Sequence, residues 1–327
     1  MQTTLTQLPK PTSSVSTDSN LTVVLFGEVL MDVFPDRSVL GGAPFNVACH
    51  LRAFGMDPVL VTRTGSDTFH DRIINVMQDK GMDTVGVQRD DRHPTGQVAV
   101  HLKPEGDHYF EILDYQAYDF IDPVLARLIG LNVRPRFMYF GTLAQRHEIS
   151  RRALASLLDS VPATRMADLN LRKPWYDTQT IKRSLERAHI VKLNEIELEC
   201  IAKALRMHTE DEKQQAVELV KKFKLEALLV TRGEQPSWLF DKQGNFSAST
   251  PEEGVKPIEI KDTVGAGDAF SAVFIAGRLL GWPLAETIQR AERFARAICG
   301  IRGAIPQDEN FYNEFLHAWN LTETIQQ

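Results

Sequence analysis

The sequence predicts a doubly wound α/β domain, built on a mainly parallel sheet flanked by helices and carrying a small β-sheet as a lid. Three observations lead there: apolar, β-branched runs alternate with helical stretches, one antiparallel hairpin interrupts that alternation, and two glycine-rich turns each open a helix. At 327 residues, 43% apolar and 24% charged, the chain is large enough to bury a substantial core without disulfides or structural metal. Its 43 acidic against 37 basic residues give a net charge of -6, the wrong sign for a protein whose main partner is a nucleic acid. Polar residues interrupt every apolar run well short of a membrane span, which argues against a membrane protein. The 3 cysteines, Cys49, Cys200 and Cys299, lie far apart and form no CxxC pair, as suits a reducing cytoplasm.

Residues 1–20 are rich in Ser, Thr and Gln and contain no apolar core of a secretory signal. They are read as a disordered tail; one lysine, Lys10, and no arginine argue against a transit peptide. Leu21 to Phe26 is an unbroken apolar and β-branched run stopped by Gly27, the pattern of a strand buried on both faces. Gly41-Gly42 then lead into a helix carrying Phe45, Cys49 and Phe54, with Gly55 as its stop. Pro58 to Thr62 predicts the second strand, and Asp67 to Lys80 a helix with Ile73, Ile74 and Met77 inward. Gln97 to Leu102 and His108 to Ile112 alternate polar with apolar around Pro104-Glu105-Gly106-Asp107, which predicts an antiparallel hairpin. Strands are expected again at Phe137–Phe140, Met166–Leu169, Ile190–Leu193 and Ala227–Val230, each after a helical stretch. The expected organisation is one domain, 21–327, with lid strands inserted at about 29–40 and 94–113.

Two stretches carry chemistry. In Asp262-Thr263-Val264-Gly265-Ala266-Gly267-Asp268, the glycines let successive backbone N–H groups converge at a helix start, where the helix dipole also favours an anion. Asp268 then stands in the first turn beside that anion site, placed to accept a proton from an attacking hydroxyl. A plain tight turn with a dipole-satisfying aspartate is the alternative. A dinucleotide fingerprint fails because Phe270 stands where the third glycine belongs, and no Gly-Lys pair exists for a P-loop. In the second stretch Gly41, Gly42, Asn46 and, upstream, Asp32 combine close backbone approach with an amide and a carboxylate suited to the hydroxyls of a polyol.

Gly41-Gly42 followed by Asn46-Val47-Ala48 and Gly55, together with Asp262-Thr263-x-Gly265-Ala266-Gly267-Asp268, resemble the two signatures of the ribokinase-like, or PfkB-type, carbohydrate kinases. The resemblance runs from Leu21 to about Pro306. It implies ATP-dependent phosphorylation of a sugar hydroxyl in a cleft under a β-lid. On that resemblance Asp268 is the base, Gly265, Ala266 and Gly267 form the anion hole, and Asp32, Gly41, Gly42 and Asn46 hold the sugar. Asn194-Glu195-Ile196-Glu197 resembles the family's Asn-x-x-Glu motif, with Asn194 toward the phosphates and Glu197 toward Mg²⁺ through water; a helix cap is its plain reading. Thr231-Arg232-Gly233 resembles the nucleotide loop, which sets Thr231 and Gly233 against ATP. The Asp262 and Gly303 neighbourhood is where relatives bind a monovalent cation, K⁺ being the expected one. Glu292 departs from the resemblance, standing near where many members carry asparagine.

The run Asp168-Leu169-Asn170-Leu171-Arg172 with Pro174-Trp175 is similar to fructokinases and to 2-keto-3-deoxygluconate kinases, and Arg172 suits either a transferring phosphoryl group or an acidic sugar. Fructose is the first expectation as substrate, 2-keto-3-deoxygluconate the second, ribose or a nucleoside the third. Of the lid side chains, His101 and Tyr109 are expected against the sugar, with Glu111 beside them. An exposed apolar lid face predicts a homodimer through the lid. A non-catalytic sugar sensor is the reading from a different class; the intact Gly265, Gly267 and Asp268 argue against it.

Overall fold

The computed structural model describes residues 21–102, 108–250 and 258–321. The N-terminal tail, 1–20, and the hairpin turn at Pro104–Asp107 lie outside the described residues.

The first strand, β1 (Thr22–Phe26), decides the layering. Val23 and Leu25 enter one core while Val24 and Phe26 enter the other, so a strand apolar from Val23 to Phe26 is covered by helices on both faces. Strands β2 (Leu30–Val33) and β3 (Ser38–Gly41) depart from that plane before α1 (Ala43–Ala53) returns to it. Then come β4 (Asp57–Gly65), α2 (Thr68–Asp79), β5 (Val87–Asp90), β6 (Gly96–Leu102) and β7 (His108–Ile112). In α2 Ile73 and Met77 are buried as expected, but Ile74 is only partly so, because the inward stripe is centred on the other two. The regular alternation follows: α3 (Pro123–Val133), β8 (Phe137–Phe140), α4 (Glu148–Leu158), β9 (Thr164–Asp168), α5 (Thr178–Arg187) and β10 (Ile190–Asn194). It continues through α6 (Glu195–Ala204), α7 (Glu212–Phe223) and β11 (Ala227–Arg232). After β12 (Gln235–Asp241) and β13 (Phe246–Ala248), helices α8 (Ala266–Leu279), α9 (Leu284–Cys299) and α10 (Asn313–Ala318) complete the chain.

The large sheet has nine strands in the order β13-β12-β11-β10-β9-β8-β1-β4-β5. It is parallel from β11 to β5; β12 and β13 add an antiparallel edge that the sequence reading did not anticipate, since Pro236 near its start speaks against a strand. The small sheet runs β3-β2-β6-β7, joined in its centre by the parallel pair β2–β6.

Strand order turns around between β1 and β8, and loops at the carboxyl ends of strands flank such a point in a doubly wound sheet. Glu28, Gly141, Asp168, Asn194 and Thr231 all stand at or just beyond those ends. Helix α8 is buried from Ala269 to Gly277 and packs between α1 and α9. Gly277 permits the approach, since a Cβ there would lie 2.7 Å from the Trp282 ring and 2.6 Å from the Thr287 methyl.

Candidate active site

Gly265 caps α8 at φ 82°, and a Cβ on it would lie 2.4 Å from that of Ala304. The position therefore demands glycine twice over, by conformation and by space. No side chain caps this helix; the Ala266 N–H reaches the Thr263 carbonyl at a long 3.4 Å, and the N–H groups that follow it in the first turn are available to an anion. Asp268, the third residue of the helix, accepts a 2.8 Å hydrogen bond from Asn46 Nδ2 on α1, a contact between residues 222 apart in sequence. Burial raises the Asp268 carboxyl to about 6 and the charge on Asp168 adds to that, against the Asn46 bond and the charges of Lys192 and Arg172. A carboxyl poised there is ionised at neutral pH yet basic enough to take a proton.

Beneath this turn lies a buried polar network that the sequence reading missed. Lys192 Nζ donates to Asp168 Oδ2 at 2.8 Å, and the same oxygen accepts from Tyr139 OH at 3.1 Å and Ser271 Oγ at 2.9 Å. Asp168 Oδ1 is buried without a partner. Both charged residues are less than 10% exposed, and the Asp168 charge, with its hydrogen bond, holds the ammonium above its ordinary range although burial alone would lower it. A Cβ on Gly267 would come within 2.9 Å of Lys192 Nζ, so a fixed positive charge sits directly under the turn that opens α8. One signal was available: a lysine inside an apolar strand needs an acid, and register sets Lys192 opposite Asp168, which closes the neighbouring strand.

On the α1 side, Gly42 at φ 109° brings its backbone against Glu28, where a Cβ would lie 2.6 Å from the Glu28 carbonyl oxygen. Glu28 itself is 5% exposed, and its Oε2 has no hydrogen-bond partner. Burial raises its carboxyl to about 7, with Asp268 pushing the same way. Asp32 is raised to about 6 by burial. The charge of Arg172 draws Glu28, Asp32 and Asp268 downward alike, so this exposed guanidinium belongs to the same group although it makes no ion pair with a described side chain. Beyond the Gly41 backbone the Asp32 carboxylate is 3.6 Å from where a Cβ would stand, leaving room beside it.

At the other end, Asn194 caps α6 in a reciprocal box with Glu197: the Glu197 N–H donates to Asn194 Oδ1 and the Asn194 N–H to Glu197 Oε2, both at 2.9 Å. Glu197 Oε1 accepts from the Leu171 N–H at 2.6 Å, which ties the Arg172 loop to this turn. Thr231 pairs in register with Asn194, and Gly233 follows at φ 57°. Asp262 accepts from the Val264 and Gly303 amides at 3.0 Å each, closing the loop before α8. Glu292 is committed to the sheet edge, accepting from the Ser237 N–H at 3.0 Å and from Ser249 Oγ.

His101 and Tyr109 do not join this group. Asp32 pairs with Val98 and Val98 with Ile112, so those three share one face of the small sheet. His101, Tyr109 and Glu111 fall on the opposite face because side chains alternate along a strand. There the His101 and Tyr109 rings stack at 4.5 Å and His101 Nε2 hydrogen-bonds Glu111 at 2.9 Å.

Residues 14–310 match the pfkB family of carbohydrate kinases. Among curated relatives, probable fructokinase-5 of Arabidopsis thaliana is 27% identical over 312 residues, covering 87% of this chain and 93% of its own. Fructokinase-2 of Zea mays is 28% identical, with 88% and 91% covered. Of solved structures, the Xylella fastidiosa fructokinase with bound ATP superposes with a TM-score of 0.77 at 19% identity, covering 92% of this chain and 99% of its own. The Vibrio cholerae fructokinase holding fructose, ADP and calcium gives 0.72 at 22% identity, with 90% and 99% covered. The Thermotoga maritima 2-dehydro-3-deoxygluconokinase gives 0.74 at 19% identity, with 91% and 99% covered. Among the described residues no helix is long and apolar enough to cross a membrane.

Proposed function

The chain belongs to the pfkB family of carbohydrate kinases, and from that premise we propose that it transfers the γ-phosphoryl group of ATP to a primary hydroxyl of fructose in the cytoplasm. The observation that carries this reading is the joining of Asp268, Asn46 and the open first turn of α8 over the buried Lys192 ammonium. Phosphoryl transfer asks the protein for position and for compensation of charge more than for covalent chemistry. Asp268 takes the proton of the attacking hydroxyl at its unbonded oxygen, while Asn46 fixes the other. The amides of Gly265, Ala266 and Gly267 face the charge that develops on the transferring group, and Lys192 sits beneath them. Asp32, Gly41, Gly42 and Asn46 hold the sugar, and Arg172 borders the same space. Asn194, Thr231 and Gly233 take the nucleotide.

The donor set fits Mg²⁺ bound chiefly by nucleotide phosphates and water, because backbone amides already engage both Glu197 oxygens and leave it an outer-sphere role. Bound there, Mg²⁺ would supply charge neutralisation to the nucleotide phosphates. K⁺ would sit near Asp262, whose carboxylate shapes the loop rather than facing outward. Closure of the small sheet, β3-β2-β6-β7, over the sugar would exclude water from the phosphoryl group.

One observation favours 2-keto-3-deoxygluconate as a second reading: Arg172 stands beside Asp32 without an ion-pair partner among the described side chains, as a carboxylate-bearing sugar would use it. An ADP-release assay with Mg-ATP against fructose, 2-keto-3-deoxygluconate, ribose and adenosine decides. Turnover on fructose supports the proposal and turnover on the acid alone transfers it to the second reading. Binding of sugar without turnover on any of them points to a sensor.

A further inference from the structure

A cavity of about 170 Å³ lies in the groove between α4 and α5 and shares no lining residue with the group around α8. Phe140, Leu154 and Leu158 line its apolar part, and Arg151, Arg183, Arg187 and Glu186 its polar part. The arginines differ in commitment. Arg187 spends two donors on Asp159, at 2.7 and 3.0 Å. Arg151 Nη1 meets only the Gln145 carbonyl at 3.1 Å, and Arg183 Nη2 the Thr180 hydroxyl at 3.0 Å. Arg183 Nε is buried and meets no acceptor, so this guanidinium can engage the cavity only through its terminal nitrogens. Burial and the neighbouring charge of Arg151 lower Arg183 below the usual guanidinium range, with Asp177 and Glu186 pulling the other way. Two like charges are thus held together above an apolar wall, each bonded to a neutral acceptor and not to a carboxylate.

We propose that this cavity binds a small phosphomonoester, its phosphate between Arg151 and Arg183 and its apolar body against Phe140, Leu154 and Leu158. Two guanidinium forks set at the same place suit the several oxygens of a phosphate better than one planar carboxylate. The remaining acid on the wall, Glu186, leaves the lining with a positive excess, since Asp159 already neutralises Arg187. The assignment stands on these residues alone and does not depend on the kinase reading.

Phenylglyoxal labelling followed by peptide mass spectrometry tests it on the intact protein, because the reagent modifies guanidinium groups and a bound phosphate shields those it touches. Inorganic phosphate and phenyl phosphate are then titrated, against sodium chloride of matched ionic strength. The expected result is saturable slowing at Arg183 and Arg151, about fivefold, half-complete near about 1 mM phenyl phosphate. Exposed Arg152, on the same helix, should not change. Phenyl phosphate should act at about tenfold lower concentration than inorganic phosphate, the apolar wall supplying the difference. Equal half-points for the two probes would overturn the apolar half of the proposal. Labelling of Arg183 unchanged at tens of millimolar, or slowed equally by chloride, would overturn all of it.

Discussion

Buried acids in this chain have two fates, and the contrast separates scaffold from site. At the β4–β5 edge, Asp67 accepts from the amides of Phe69, His70 and Thr95 and from Thr95 Oγ1. Asp90 accepts from the amides of Arg92 and His93, with Arg63 Nε 2.9 Å away. Burial pushes both carboxyls up, yet these donors outweigh it and hold both below their ordinary value. At the carboxyl end of the sheet the balance reverses: Glu28, Asp32 and Asp268 are raised, burial being the first cause in each. Glu28 and Asp168 each keep a buried oxygen with no partner. An acid with every oxygen satisfied fixes the backbone; an acid left short of donors stays ready for a proton or a hydroxyl.

The sharpest break of that comparison is Asp268→Asn, which leaves the shape and removes the base. Turnover should fall by about 10² to 10⁴, with sugar and nucleotide binding retained by calorimetry. Because the Asp268 carboxyl is raised to about 6, wild-type kcat/KM should climb as pH rises through about 6, where the base form appears. A variant with undiminished turnover would remove Asp268 from the reaction.

Glu28→Gln comes next. The folded-state carboxyl is raised from 4.5 to about 7, so its favourable share of stability is complete below 4.5 and is lost as pH rises through 7. The amide imitates the protonated form. At pH 8 the variant should therefore be more stable than the parent by about 3 kcal/mol, a gain that vanishes near pH 4. Denaturant melts at the two pH values measure it, and equal stability at pH 8 would show that Glu28 is satisfied after all.

Asp67→Ala should act in the opposite sense. It loses a helix cap and strands the Thr95 donors, for a cost of about 2 kcal/mol at neutral pH, while kcat and KM hold. A carboxyl held below 3.8 contributes stability above that value and loses it as pH falls through it, so the penalty should shrink in strong acid. A large loss of turnover at unchanged stability would instead bring the β4–β5 edge into the site.

How much of this was legible follows the range of the physics involved. Apolar runs and glycine stops are local, so β1, β4 and β8 to β11 were read within a residue or a few of their bounds. The α8 turn was legible for the same reason: Gly265 and Gly267 are needed by what touches them, and the motif shows both. The Lys192–Asp168 pair spans 24 residues and exists only because β9 and β10 lie side by side, which no window of sequence shows. The edge pair β12–β13 was missed because Pro236 imitates a turn.

The small sheet failed for a subtler reason, and it yields the smallest effect. Alternation along β6 and β7 was read correctly, but which face meets the cleft depends on the parity of β2, where Asp32 aligns with Val98 and not with Ala99. His101 and Tyr109 therefore lie on the face opposite Asp32, where Tyr109 is exposed, while the exposed Val39 and Phe110 share the Asp32 face. An exposed apolar sheet of this kind is what a second copy of the chain would cover. Tyr109→Ala should leave the sugar KM within about threefold, a change worth less than about 1 kcal/mol, and should lower the dimer fraction seen by light scattering at micromolar concentration. A monomeric parent would refute pairing through this sheet. A tenfold rise in KM at constant dimer fraction would return Tyr109 to the sugar and place the cleft on the other face.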